Sequence, residues 1–422
     1  MAINKVKGTY DVCPNESYLW QRLEEEIRAL MKLYNIKEMR TPIMEYSEVF
    51  HRQSELSDMV TKETYNFDDR GERRLTLRPE GTAGIIRAYV ENKLYASGEL
   101  EKVYYIGPNF RYERPQKGRY RQFYQFGVEA IGAIDPALDA ELIILAYDFI
   151  KRLGLKGVRV RINSLGDEDS RQQYHHALKT HFDPHRETLC DDCKIRIDKN
   201  PLRILDCKID QNHPALLNAP TPQDYLNTDS RHYFTSILEH LHMAGINYEI
   251  ANRLVRGLDY YSHTVFEIEA DIEGFGAQNV LGGGGRYQKL VKELGGPDLG
   301  GIGFAFGMER LLMAIDAENV DFAKEPILEA FILTFQPDYR SLATKILFQL
   351  RQARISCDMN YTQKSFKSQL KQAIKQQAKY LIIIGEDEYK RGVVGVKNTQ
   401  TEVQDEVVVA KVPKYLKERL GK

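Results

Sequence analysis

Two long aromatic-rich runs, Val103–Arg111 and Gln122–Ile131, constrain the fold of this 422-residue chain more than any other feature. Alternating residues place successive side chains on opposite faces of a strand. The connecting loop, Arg114 to Gly118, is basic and holds both proline and glycine, so the runs read as two arms of a hairpin. Further strands are expected at Leu75–Leu77, Thr264–Ile268 and Val280–Leu281. Between Ser17 and Tyr34 the apolar residues Trp20, Leu23, Ile27, Leu30, Met31 and Tyr34 recur at spacings of three and four, which predicts an amphipathic helix. It ends before Arg40-Thr41-Pro42-Ile43, where the proline favours an edge or boundary position. A second helix is expected at Ala137–Leu153, and Phe304–Ile315 reads as a helix that starts in a glycine-rich turn. The fold class is therefore α+β, with antiparallel strands clustered around helices rather than a regular βαβ repeat.

Residues 166 to about 250 change character: glycine and aromatic content falls, His and Asp rise, and apolar positions recur at helical spacing. This predicts a mainly helical insertion within a body spanning 1–325. After Lys324-Glu325-Pro326 the rhythm changes again. The apolar runs Ala330–Phe335, Ile355–Met359 and Tyr380–Gly385 alternate with helices near Asp338–Gln352 and Ser365–Lys379, the pattern of a small α/β domain with parallel strands over 326–422. On the second of these helices Phe366, Leu370 and Ile374 form an apolar stripe, and Lys364, Lys367, Lys371 and Lys375 a basic one.

Charge is unevenly shared. Residues 326–422 carry 17 Lys and Arg against 10 Asp and Glu, so this segment is +7 within a chain of net charge -1, and the remainder is -8. A basic module on a mildly acidic body suits a polyanionic partner; a solvated basic surface is the plainer alternative. No run approaches the roughly 18 apolar residues of a membrane span, and Met1–Gly8 lacks an apolar signal region. Five unevenly placed cysteines do not make a disulfide framework. Together these features lead to the expectation of a cytoplasmic protein with no membrane association.

Three segments can carry chemistry. In Tyr104–Glu129, Arg111 and Glu129 lie on the arms; a guanidinium on a rigid strand can grip a phosphate with its fork of donors. The plainer reading is a solvated hairpin with its arginines paired to carboxylates. In Arg256-Gly257-Leu258-Asp259-Tyr260-Tyr261 an arginine precedes two consecutive tyrosines, although buried tyrosines are often ordinary core residues. The third segment is Gly282-Gly283-Gly284-Gly285-Arg286-Tyr287, with Gly300–Leu311 downstream. Taken alone, such a glycine run is most often a turn; it is not a dinucleotide fingerprint, and the chain has no Walker-type loop.

Taken together, Arg40-Thr41-Pro42 after a long helix, the strand–loop–strand around Arg111, and the glycine-rich strand leading to the Arg310 helix resemble motifs 1, 2 and 3 of class II aminoacyl-tRNA synthetases, in order. Class I is disfavoured, because no His-Ile-Gly-His-like segment occurs and Lys364–Ser368 lies on a predicted helix. Leu254–Tyr261 looks like the histidine-specific motif of histidyl-tRNA synthetases, and Leu77-Arg78-Pro79-Glu80-Gly81-Thr82 resembles their substrate-binding turn. The resemblance implies a class II catalytic domain, a C-terminal anticodon-binding domain, and an enzyme that makes histidyl-adenylate from histidine and ATP before charging tRNA(His). It implies that Glu80, Thr82 and Gln125 hold the amino acid's ammonium and carboxylate ends, with Gly81 and Tyr260 in the same site, while Glu129 and Tyr261 face the imidazole. Arg111 and Arg256 would act on the α-phosphate and carboxylate, and Arg111, Glu113, Arg119 and Arg310 would bind ATP together with Mg²⁺. The loop Arg114–Arg119 would meet the acceptor end of tRNA, and the long helix with the Pro42 segment would build a homodimer.

A neutral imidazole offers one donor and one acceptor, so a carboxylate and a phenol can reject side chains that leave those groups unpaired. Two competing readings are a catalytically silent regulator, like the regulatory subunit of ATP phosphoribosyltransferase, and a synthetase for proline, threonine or glycine. Against the first stand the basic C-terminal domain and the complete set Arg111, Glu129, Arg256 and Arg310; against the second stands Arg256–Tyr261. Cys190, Cys193, Cys207 and His213 have a spacing that could bind zinc. No metal is expected there, since the family does not depend on one in this region.

Overall fold

The structure, a computed structural model, describes residues 3–422 except 53–56, 117, 257–259, 276–278 and 363. Gly257, Leu258 and Asp259 of the histidine-type motif, and Lys117 of the basic loop, lie outside the described residues. The chain separates into two compact units, Met1–Ala323 and Lys324–Lys422.

The first unit is built on an eight-stranded sheet. In chain order its strands are β1 (Lys37–Glu38), β2 (Glu101–Phe110), β3 (Gln122–Ile131), β4 (Arg159–Ser164), β5 (Tyr248–Ile250), β6 (Tyr261–Glu269), β7 (Val280–Tyr287) and β8 (Gly301–Gly307). Their spatial order is β1-β2-β3-β8-β7-β6-β4-β5. The six central strands pair antiparallel, and only the edge pairs β1–β2 and β4–β5 are parallel. A separate three-stranded antiparallel sheet, Met44–Tyr46, Arg74–Leu77 and Tyr65–Asp68, flanks it.

One face of the large sheet is covered by helices Pro14–Leu33, Pro136–Arg152, Thr228–Met243 and Met308–Ala317, which share a single apolar core with Phe126, Val128, Phe266, Ile302, Phe304 and Phe306. The long first helix follows from its spacing: a proline stands in its first turn, and Leu23, Ile27, Leu30 and Met31 are its buried residues. Leu23 and Ile27 are fully enclosed.

Three expectations need correction. Phe304–Phe306 belong to strand β8, and the helix begins only at Met308. Period two wins there, because Ile302, Phe304 and Phe306 point into the core while Gly301, Gly303, Ala305 and Gly307 alternate with them. The glycine run 282–285, which taken alone reads as a turn, is extended strand paired on both sides, as the motif resemblance implies. Finally, the helical stretch 166–250 is not one body. Residues Tyr174 to Leu216 form their own small core, whereas Phe234, Ile237 and Leu241 of the Thr228–Met243 helix pack into the main one, and Tyr248–Ile250 closes the sheet edge.

The second unit has a five-stranded sheet. Cys357–Met359, Ala330–Thr334 and Tyr380–Ile384 are parallel, as the apolar runs predict, but an antiparallel hairpin, Val393–Asn398 and Gln404–Val408, is added at one edge. On the helix Phe366–Lys375, Phe366 and Leu370 pack inward while Ile374 is exposed. Lys364, Lys367, Lys371 and Lys375 are all exposed.

Within the main core, Arg286 and Asp139 are both completely buried and joined by hydrogen bonds, among them Arg286 Nε to Asp139 Oδ1 at 2.9 Å. Thr264 donates to the other carboxylate oxygen at 2.6 Å, and Arg286 Nη1 donates to the Ala133 carbonyl at 3.0 Å. Removing one partner strands the other charge in a dry interior. Arg286→Met should therefore cost about 3–5 kcal/mol of stability, read as a fall in the urea midpoint, whereas Arg286→Met combined with Asp139→Leu should recover most of it. Equal destabilisation of the single and double variants would contradict this account.

Candidate active site

Strand alternation sorts the remaining face of the sheet. Gln125, Gly127 and Glu129 of β3, Tyr105 of β2, Gly303 and Ala305 of β8, Gly283 and Tyr287 of β7, and Glu267 of β6 all point away from the main core. Because so many of these positions are glycine or alanine, the face has a floor without side chains, ringed by polar groups. Gly303 is cross-strand partner to Glu129, and a Cβ there would overlap the Glu129 carboxylate. A Cβ on Gly283 would press into the Phe266 carbonyl and meet Arg256 Nη1 at 3.0 Å.

The recess above this floor is lined by Glu80, Thr82, Arg111, Gln125, Glu129, Arg256, Tyr260 and Tyr261, and also by Tyr105, Gly283, Tyr287, Gly303, Phe304 and Ala305. It is a narrow recess, closed in by these side chains, with ≈ 470 Å³ of open space when its mouth is included. The first eight are residues that the sequence motifs single out. Gly81 lies beneath, where any side chain would collide with the Tyr105 ring. Glu113, Arg119 and Arg310 do not line the recess and stand beside it, coupled to one another and to Arg111.

At the inner end Glu129 is 1% exposed. Its two carboxylate oxygens accept hydrogen bonds from Thr82 Oγ1 at 2.6 Å and from the Tyr287 hydroxyl at 2.8 Å. Burial nevertheless pushes its carboxyl up to about 8, because the two hydrogen bonds stabilise the ionised form by less than the lost hydration costs. Glu80 is also raised by burial, although it caps the helix Thr82–Glu91 by accepting from the backbone N–H of Ala83 at 2.9 Å. The Tyr261 phenol is pushed up to about 12, chiefly by burial, and so stays a hydrogen-bond donor.

Toward the mouth the field turns positive. Arg111 follows β2; its Nε donates to the Pro79 carbonyl at 2.9 Å and its guanidinium lies over the Phe123 ring at 5.1 Å. Arg256 donates from Nη1 to Glu267 at 2.7 Å; burial works against its charge, but Glu267 and the neighbouring tyrosines together raise its pKa. Arg310, in the first turn of Met308–Ala317, donates to the Val280 carbonyl at 2.7 Å. Its pKa is lowered by burial and further by the charges of Arg119, Arg111 and Arg256. Four guanidinium groups thus share one neighbourhood, an arrangement that an anion would relieve. Two buried polar atoms here, Arg256 Nε and the Tyr260 hydroxyl, have no hydrogen-bond partner among the described residues. Both are free to pair with a bound ligand.

Sequence reasoning missed Tyr105, Tyr287 and Glu267. Their signal was period two: Tyr287 stands four residues beyond Gly283, and Glu267 is the cross-strand partner of Gly283. The motif reading treated the glycines as backbone and did not ask what their neighbours faced.

Residues 8–311 match the family model for histidyl-tRNA synthetase, and residues 329–419 match the anticodon binding domain. The chain is 55% identical to a histidine–tRNA ligase of Acholeplasma laidlawii over 99% of both proteins, and 48% identical to one of Bacillus cytotoxicus over the full length of both. Its fold superposes on the crystal structure of apo histidyl-tRNA synthetase from S. aureus with a TM-score of 0.84 at 39% identity, covering 99% of this chain and 100% of that one. With the pocket, the paired acid and phenols, and the clustered arginines in place, the chain belongs to the histidyl-tRNA synthetase family.

Proposed function

We propose that the recess binds histidine at its Glu129 end and ATP at its arginine end, so that the chain acts as a histidine–tRNA ligase. The observation that carries this reading is the polarity of the site: a recess that sets the buried Glu129 and Tyr261 beside Arg111 and Arg256, with Arg119 and Arg310 next to it. Glu129 accepts the imidazole N–H and Tyr261, protonated at all working pH values, donates to the other ring nitrogen. Glu80, Thr82 and Gln125, with Tyr260, hold the ammonium and carboxylate ends. The histidine carboxylate oxygen then attacks the α-phosphorus in line, the bond to pyrophosphate breaks, and histidyl-adenylate remains. Arg111 and Arg256 neutralise the oxygens that gain charge, while Arg310 and Arg119 hold the outgoing phosphates. No side chain acts as nucleophile; the contribution is position and a field set up in advance. A terminal ribose hydroxyl of tRNA(His) next attacks the adenylate carbonyl, releasing AMP, with the Arg114–Arg119 loop at the acceptor end.

Mg²⁺ on the phosphates would supply further charge neutralisation. The hard oxygens of Glu113, poised between Arg111 and Arg119, are of the type this ion prefers. The exposed lysine stripe of the second unit is proposed to meet tRNA phosphates. A homodimer is proposed through the first helix and the edge strand Met44–Tyr46, where Ile43, Met44 and Tyr46 are exposed apolar residues. Among the described residues no helix is long and apolar enough to cross a membrane, and we propose that the reaction takes place in the cytoplasm.

Pyrophosphate exchange measured with each standard amino acid should respond to histidine alone; a response to another amino acid, or to none, would sink the assignment. Arg256→Ala should lower kcat roughly 10²–10³-fold, the usual cost of removing one fixed charge stabiliser. Because the Glu129 carboxyl sits at about 8, kcat/KM for histidine should rise with pH through that value as the acceptor ionises, then level off. Glu129→Gln should abolish that inflection and weaken histidine use on the order of 10–150-fold, the worth of one charge-assisted hydrogen bond. An unchanged pH profile in this variant would remove Glu129 from the imidazole. In filter binding, Lys367→Ala and Lys371→Ala should each reduce the slope of log affinity for tRNA against log salt by about 1.

A further inference from the structure

The small helical module between residues 166 and 226 encloses a second cluster of chemistry-bearing side chains, which amino-acid activation does not use. Cys190, Cys193, Cys207 and Asp210 each bring one ligand atom to within 4.8 Å of the others. Cys193, Cys207 and Asp210 are buried and Cys190 is partly so. The sequence arranges them as two short clips, Cys-x-x-Cys at 190–193 and Cys-x-x-Asp at 207–210, which fold against each other.

Distances separate a metal site from two alternatives. Cys190 Sγ and Cys207 Sγ are 3.7 Å apart, and Asp210 Oδ2 is 3.7 Å from Cys207 Sγ. Tetrahedral zinc with bonds of about 2.3 Å to sulfur has a sulfur–sulfur edge of roughly 3.8 Å. A disulfide requires about 2.05 Å. Simple core packing accounts for Cys193 and Cys207, which touch the module's apolar residues. It does not account for a buried carboxylate among thiols with no Lys, Arg or His paired to it in the described residues. Backbone donors already orient the set: Asp210 N–H points to Cys207 Sγ at 3.4 Å, and Cys190 N–H donates to Asp210 Oδ2 at 3.0 Å.

We propose that Cys190, Cys193, Cys207 and Asp210 bind one Zn²⁺ as a closed structural site. This revises the expectation that the region holds no metal, and it replaces His213 as fourth ligand. His213 is committed elsewhere: its Nδ1 accepts from Ala215 N–H at 3.1 Å and its Nε2 meets Thr188 Oγ1 at 3.1 Å. A protein ligand at all four positions leaves no open coordination site, so the ion holds structure rather than substrate. A module of roughly 60 residues has too small an apolar core to be secure without such a staple. The staple also reaches the active site, because Val255 packs on the same apolar cluster and Arg203 Nη1 donates to the Arg256 carbonyl at 3.1 Å.

The test is the metal content of the full-length protein, purified reduced, without a polyhistidine tag, and dialysed after exposure to zinc chloride. Mass spectrometry should find roughly one zinc per chain. Cobalt substituted for it should give sulfur-to-metal charge transfer and the strong visible bands of a tetrahedral thiolate site. Cys207→Ser should lose the ion, while Asp210→His and His213→Ala should keep it. Because a cysteine variant can fail to fold, the zinc content and cobalt spectrum of the unaltered chain stand as independent readings. Less than about a tenth of an equivalent of zinc, or an octahedral cobalt spectrum, would overturn the site. So would a Cys190–Cys207 disulfide in the peptide map, and loss of zinc in His213→Ala would overturn the ligand set.

Discussion

Arg286 and Asp139 meet in a fully dry interior, and their pairing decides which way strand β7 faces. With Arg286 drawn to the helix Pro136–Arg152, the next residue along the strand must point to the opposite face, and that residue is Tyr287, the donor to Glu129. A slip of one residue would carry the phenol into the core and a guanidinium into the histidine end of the recess. The bulge between Gly285 and Arg286 lets β6 take a different register on either side of this point, so Val265 partners Gly285 while Tyr261 partners Tyr287. One buried ion pair therefore has two consequences: it ties helix to sheet, and it aims the acid-and-phenol end of the site.

The same burial that secures the scaffold sets the electrostatics of the recess. A carboxylate held at 1% exposure with only two neutral donors is poised near neutrality, so its charge state responds to what binds beside it. Arg310 is buried beside Arg119, Arg111 and Arg256, and burial first and these cations next lower its pKa, a configuration that is unfavourable until phosphate arrives. Stability is surrendered at both ends for a field that needs no rearrangement when the reaction occurs. The glycine floor fits this arrangement, since a Cβ on Gly303 would take the space of the Glu129 carboxylate, one on Gly283 would crowd the Phe266 carbonyl and Arg256, and one on Gly127 would collide with the Tyr105 ring.

Much of this was legible in the sequence. The hairpin Val103–Ile131 showed itself through alternation, the first helix through its three-and-four spacing, and eight lining residues through motif resemblance. What escaped notice shares one physical cause. Glycine carries no hydropathy signal, so Gly282–Gly285 taken alone reads as a turn, and Gly301–Gly307 as a turn running into a helix at Phe304, although tertiary pairing on both sides extends them. The hairpin Val393–Val408 was hidden because its strands are short and its second strand is mostly exposed. The split of the helical stretch at Thr228 could not be read from periodicity, which tells that a helix has an apolar face but not which core that face will join.

Arg256 shows how these parts act together. It lies on no regular element; its segment follows the short edge strand β5 and precedes β6. Such a loop residue would ordinarily lose precision to backbone entropy. Here the segment is held from several sides: Asn163 on β4 donates to the Leu254 carbonyl at 3.1 Å, Leu254 and Val255 pack into separate apolar clusters, and Arg203 of the helical module donates to the Arg256 carbonyl. Glu267 then fixes one arm of the guanidinium, while Nε is buried without a partner among the described residues and the side chain lines the recess. The helical module is thus more than an ornament on the sheet's edge. It contributes one wall of the clamp that gives a loop arginine the positional accuracy of a strand residue, and displacement of a charge by about 1 Å is enough to cost two orders of magnitude in rate.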